Sequence, residues 1–248
     1  MPPDLAPLIL AAAGFVASVL NVIAGGGSFL TLPILIFLGL PATEANATNR
    51  VGILTQNAGA VWGFHRHRVL DWGWALGVAV PGIVGAALGA WLALLIDDRD
   101  FRRLLAFFML AITLWTILDP TGPSARRARA LSSRPALVQA GFFLVGIYGG
   151  FVQAGVGFLA LAVTTAAGLD LVRGNAVKVL TILVQTIVSL AIFAWGDKIH
   201  WFPGFALAAG SFLGSLVGVR LTVRKGHRWV QGVVTATVVV FAIRLWFT

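Results

Sequence analysis

Long stretches without an ionisable side chain set the pattern of this chain. Residues 72–96 give 25 such positions in a row, and 5–23 and 201–219 give 19 each. About 20 apolar residues in a helix cross the ~30 Å hydrocarbon layer of a bilayer, so these runs predict membrane-crossing helices. Ten apolar segments follow from the whole pattern, approximately 5–23, 28–38, 43–64, 72–96, 102–118, 136–152, 157–168, 174–196, 202–220 and 229–247. The expected fold class is therefore all-α, a polytopic membrane protein. Of the 248 residues, 58% are hydrophobic and 11% charged, against ~25% charged in a typical soluble domain.

The segments repeat. Gly25 and Gly27 match Gly155 and Gly157, Gly39-Leu40 matches Gly168-Leu169, and Asn46-Ala47 matches Asn175-Ala176. Further on, Gln56 matches Gln185, Trp72 matches Trp201, and Gly85-x-x-x-Gly89 matches Gly214-x-x-x-Gly218. Two copies of one five-segment unit account for these coincidences. The second segment of each copy is too short to cross, and Pro33 disturbs the first of them. Each copy thus opens with a helix, a Gly-rich break and a half-helix.

Loop charge sets an orientation. With the Arg-rich connection of residues 119–134 inside, 11 Lys and Arg face in (Arg66, Arg68, Arg126, Arg127, Arg129, Arg134, Arg173, Arg220, Arg224, Lys225 and Arg228) and 5 face out (Arg99, Arg102, Arg103, Lys198 and Arg244), the bias of a cytoplasmic side. The first copy then starts outside and the second inside, which predicts inverted repeats. The expected organisation is an N-terminal transmembrane repeat over 1–118, a basic cytoplasmic linker over 119–134 and a C-terminal transmembrane repeat over 135–248.

The net charge of +9 reads as this loop bias. No basic stripe interleaved with stacking aromatics points to nucleic acid. Absence of Cys excludes disulfides and cysteine-ligated metals, and the first apolar stretch lacks the flanks of a cleaved signal peptide.

The two cations left over, Arg50 and Lys178, both fall inside the third segment of their copy. A cation there costs ~2.5–3.5 kcal/mol on insertion scales, so it marks a cavity, partner or substrate, unless it snorkels from near a helix end. Around them lie Asn46, Asn49, Gln56 and Asn57, and in the other copy Asn175 and Gln185. Such amides either line a site or join helices together. Gly25, Gly26, Gly27, Gly155 and Gly157 admit two readings. As breaks they would present backbone N–H groups to an anion at a half-helix start, with Ser28 as N-cap and Gln153 as a further amide donor; as spacers they would only let helices approach. His65-Arg66-His67-Arg68 reads as an interfacial charged turn. No H-E-x-x-H, Walker A or G-x-S-x-G pattern occurs, so neither enzyme chemistry nor a metal or cofactor is expected.

At these residues the chain resembles the TauE/SafE family of sulfite and sulfonate exporters, also called toluene sulfonate uptake permeases. The likeness rests on Ala24-Gly25-Gly26-Gly27 and the apolar run to Pro33, on Gly39-Leu40-Pro41, Ala47-Thr48-Asn49 and Asp71-Trp72, and on Ala154-Gly155-Val156-Gly157 and Ile199-His200-Trp201. It departs from the commoner pattern at Arg50, Lys178 and Val156. The resemblance implies a carrier in the bacterial inner membrane for anions such as sulfite or small sulfonates. The expectation is a secondary transporter, leaning to export, that holds one anion between the copies. The alternatives are an anion channel, or an uptake permease for another small carboxylate or sulfur compound. Lipid and a small anion are its expected partners, and a homodimer is an assembly open to it.

Overall fold

The computed structural model describes residues 5–118 and 135–246, and of these the side chains except at 113, 115–118 and 226–246. The expected linker over 119–134 lies outside the described residues. Among the described residues all regular structure is helical: α1 (Leu5–Ile23), α2 (Ser28–Phe37), α3 (Ala42–Arg66), α4 (Trp72–Leu95), α5 (Asp98–Leu118), α6 (Pro135–Phe151), α7 (Val156–Ala166), α8 (Leu171–Trp195) and α9 (Trp201–Trp246).

The repeat is written into the element starts, offset by 128 from α2 to α7 (156 − 28) and by 129 from α3 to α8 (171 − 42) and from α4 to α9 (201 − 72). Backbone conformation repeats with them. Gly39 and Gly168 have φ of 99° and 94°, and Arg68 and Asp197 have φ of 55° and 51°. Each of these glycines closes a half-helix: the N–H groups of Leu40 and Leu169 reach back to the carbonyls of Leu35 and Thr164 at 3.2 and 3.1 Å, a turn that needs the left-handed conformation Gly adopts without strain. α4 and α8 start on acidic caps. Asp71 accepts from the Trp74 N–H, and Asp170 from those of Val172 and Arg173.

One expectation changes. The closing segments placed at 202–220 and 229–247 form a single helix, α9, because residues 221–228 contain no Pro and the lone Gly226 does not stop the i→i−4 ladder. At about 1.5 Å per residue, its 46 residues exceed one bilayer thickness. The Trp201–Lys225 portion has the length and apolarity to cross, as do α1, α4 and α8.

The two copies exchange helices. α1 lies along α9, where a Cβ on Gly210 would fall on Ala11, on Gly214 on Phe15, and on Gly218 on Val22. In the mirrored pair, α4 along α6, a Cβ on Gly82 or Gly85 would meet Phe142 or Phe143, and one on Gly146 or Gly150 would meet Gly82 or Ala86. Contact positions rise together in both pairs, so the helices are parallel. α3 runs along α9 the same way, from Val51 against Gly204 to Gly63 against Val219. Gly85, Gly89, Gly214 and Gly218, the matching glycines of the two copies, serve this close approach.

Burial is reversed relative to a soluble protein. Arg50 is 0% and Lys178 1% exposed, whereas Phe37 is 83%, Trp195 84% and Phe202 73% exposed. An apolar exterior around a polar interior has lipid as its solvent. α3 is long enough to cross, but its Asn46, Asn49, Arg50, Gln56 and Asn57 are all buried, so it is satisfied only inside the bundle.

Candidate substrate site at two helix breaks

Both opening helices stop inside the protein, α1 at Ile23 and α6 at Phe151, and each restarts after four residues. A broken helix leaves its last carbonyls without N–H partners. At membrane depth such groups need partners from neighbouring helices. Here the other copy supplies them. The carbonyls of Asn21 and Val22 accept from Lys178 Nζ at 2.8 and 3.1 Å, and that of Ile23 from Asn175 Nδ2 at 3.0 Å. Across the bundle, the carbonyls of Gly149 and Gly150 accept from Arg50 Nη1 and Nη2 at 3.0 and 2.6 Å, and that of Phe151 from Asn46 Nδ2 at 3.0 Å. Three terminal carbonyls, one cation and one Asn recur at each break. Cations also suit the negative end of a helix dipole.

The snorkelling alternative is thereby excluded, since neither cationic head reaches the surface. Among the described residues neither has an acidic partner; the ion pairs lie instead at helix ends, at Arg102–Asp98, Arg103–Asp100, Arg173–Asp170 and around Glu44. The two cations differ in saturation. Lys178 uses its three donors, the third on Asn175 Oδ1 at 2.5 Å. Arg50 also donates to Gln153 Oε1 at 2.8 Å and stacks at 4.7 Å over the Phe193 ring, yet its Nε is buried without a partner. Gln185 Nε2 is likewise buried and unpartnered. Both side chains border Gly149, whose carbonyl accepts from Arg50 Nη1 and whose added Cβ would lie 3.7 Å from Gln185 Oε1, while Gln185 Nε2 lies against Gly82 of α4.

The glycines bring the breaks together. A Cβ on Gly25, which has φ 105°, would collide with Gly157, and one on Gly157 with Gly25. Gly155, at φ 72°, is the residue before α7 and sits against Phe29. Gly26 accepts from the Phe29 N–H at 3.1 Å.

Several expected roles are corrected. Gly27, not Ser28, precedes α2, and no side chain caps it; Ser28 is the first helical residue and its Oγ accepts from Asn49 Nδ2 at 3.4 Å. One of the N–H groups expected to face an anion is already taken, that of Gly27 by Asn21 Oδ1 at 3.3 Å, and at the second break the Gln153 N–H donates to Asn46 Oδ1 at 3.1 Å. Gln153 Oε1 accepts from Arg50 Nη1. Gln56 is buried. Sequence reasoning missed Asn21, Phe193 and the carbonyls of Gly149 and Gly150. Asn21, a polar residue at the end of an apolar span, was the one visible signal.

A buried polar centre at two helix breaks, enclosed by an apolar shell of crossing helices, is the construction of a membrane transporter. The model of the family "Sulfite exporter TauE/SafE" matches residues 10–245, and the chain belongs to that family of membrane transporters. Over 228 residues it is 32% identical to a probable membrane transporter protein of Haemophilus influenzae, covering 91% of this chain and 89% of the relative. It is 31% identical over 245 residues to the probable membrane transporter protein YfcA of Escherichia coli K12, covering 96% and 90%. A Sinorhizobium relative, probable membrane transporter protein ORF9, is 28% identical over 94% of this chain and 89% of its own length. No solved structure matches.

Proposed function

We propose that this transporter carries one small anion, such as sulfite, a sulfonate or a related organic anion, across the cell inner membrane by alternating access. The carrying observation is two buried, unpartnered donors, Arg50 Nε and Gln185 Nε2, on side chains that both border Gly149, with the Arg50 guanidinium lacking an acidic mate among the described residues. A buried donor left unpaired costs about 1–3 kcal/mol, and an oxyanion seated there would satisfy both donors and balance the charge. The anion site comprises Arg50, Gln185, Gln153 and the second break, with Lys178, Asn46 and Asn175 clamping the helix ends that frame it.

The two copies act as inverted repeats, 1–118 and 135–248. Supporting this, Arg50, early in α3, meets Phe193, near the end of α8, so the matching helices run in opposite senses. Rocking one copy against the other exposes a midplane site to alternate sides. An inside-negative potential favours anion exit by about 2.3 kcal/mol per charge per 100 mV, so export needs no coupling ion. The test is flux of sulfite and small sulfonates in proteoliposomes for wild type, Arg50→Ala and Lys178→Ala. Saturable wild-type flux and its loss in both variants is expected; normal flux in both variants rejects the site.

A further inference from the structure

The repeat predicts that whatever joins the copies at one face has a counterpart at the other, and the two faces differ. At one face Glu44, in the first turn of α3, meets His200, the residue before α9: Glu44 Oε2 lies 2.6 Å from His200 Nε2. The His200 N–H donates to Thr48 Oγ1 at 3.0 Å, and Lys198 Nζ lies 3.9 Å from Glu44 Oε1. This cluster ties α3 of the first copy to the α8–α9 turn of the second. Adding the offset of 129 turns Glu44 into Arg173 and Thr48 into Val177, and subtracting it turns His200 into Asp71. An acidic and a basic residue thus recur at the equivalent positions, with the two types exchanged.

At the second face the equivalent residues stand apart from that arrangement. Asp71, Arg173 and Val177, with Arg68, Leu70 and Leu169, line a cavity of about 280 Å³. Arg173 turns instead to Asp170 at 3.7 Å, the cap of its own helix, and Asp71 caps α4 through the Trp74 N–H. The cavity reaches Val177, the neighbour of Lys178, and so approaches the clamp on the first break.

We propose that Glu44–His200 and Asp71–Arg173 are the two gate latches of alternating access, and that this structure is the state with the first latched and the second open. Closing the cavity brings Arg173 across from Asp170 to Asp71, while the Glu44–His200 contact parts. Neither latch binds the transported anion; both are positioning pairs that act on access to it. The inference rests on the alternating-access reading, but its sides are defined by the protein alone.

Absence of Cys from the native chain makes thiol chemistry the direct test. A single Leu169→Cys, at a half-buried residue of the cavity wall, is labelled by a membrane-impermeant methanethiosulfonate in proteoliposomes without substrate, alone and with His200→Ala. Loss of the latch shifts the population toward the state with the cavity shut, so labelling is expected to slow by about fivefold or more. Unchanged or faster labelling overturns the proposal. In a second arm, the pairs Glu44→Cys/His200→Cys and Asp71→Cys/Arg173→Cys are bridged by a short bis-methanethiosulfonate, each thiolate displacing one methanesulfinate to form a reducible disulfide. Each bridge is expected to stop flux, relative to the same variant after reduction, and flux that survives either bridge overturns the gate. Because labelling uses no anion, a reciprocal shift without sulfite flux retains the gates and rejects the substrate reading instead.

Discussion

Replacing Gln185 by Met separates anion binding from stability with opposite signs. Gln185 Nε2 is buried and has no partner, while its side chain lies between Gly82 and Gly149, whose added Cβ atoms would meet it. Met has similar length, fills irregular space and carries no donor. Removal of an unpaired buried donor recovers up to about 1–3 kcal/mol, so the unfolding midpoint of the purified protein in detergent should stay level or rise. The bound anion, however, loses a hydrogen bond to a charged group, about 1.5–3 kcal/mol, which at about 1.4 kcal/mol per tenfold weakens sulfite affinity by about 10- to 150-fold. Isothermal titration with sulfite, beside thermal unfolding of the same preparation, measures both. A destabilised variant with wild-type affinity would refute the reasoning, because Gln185 would then be joining helices and not awaiting a ligand.

Arg50→Lys keeps the charge but removes the planar fork that spans Gly149, Gly150 and Gln153; sulfite affinity should fall about tenfold or more, read by the same titration. Lys178→Met leaves the carbonyls of Asn21 and Val22 unpaired and should cost about 1–3 kcal/mol for each orphaned carbonyl, seen as a lower unfolding midpoint that added anion does not restore. Gly214→Val would drive a side chain onto Phe15 of α1 and lower the midpoint by an overpacking cost of about 1–3 kcal/mol, whereas Gly77→Ala, inside α4 with open space around it, should hold it level or raise it. Gly39→Ala meets no neighbour but keeps φ near 99°, so a drop of about 1–2 kcal/mol would isolate backbone strain.

Much of the architecture was legible because lipid imposes a simple code. The apolar runs marked α1 and α4 to within a residue and α8 to within three, and the glycine coincidences revealed the repeat. The short α2 and α7 followed from length alone. The merger of the last two segments into α9 was not legible, because a basic stretch such as 220–228 looks like a loop wherever a helix can emerge from the membrane. At the site, the rarity of buried cations singled out Arg50 and Lys178. What they hold could not be read, since their partners are backbone carbonyls that any residue carries. Position 49 aligns with Lys178 and position 50 with Val179, yet Arg50 does for α6 what Lys178 does for α1. Its longer, forked side chain spans the difference. Ser28 looked like a cap from composition, but Asn21, one turn back on α1, reaches the Gly27 N–H first.

The central claim is that an oxyanion sits against Arg50 and Gln185, inside the bundle and beside the second helix break. The most direct measurement is anomalous diffraction from crystals soaked in selenite, a heavier analogue of sulfite. The account predicts a selenium peak one Se–O bond beyond hydrogen-bonding distance, placed so that selenite oxygens accept from both Arg50 Nε and Gln185 Nε2. Ordered selenium found only at the membrane-facing exterior, with those two donors still unpaired, would contradict it.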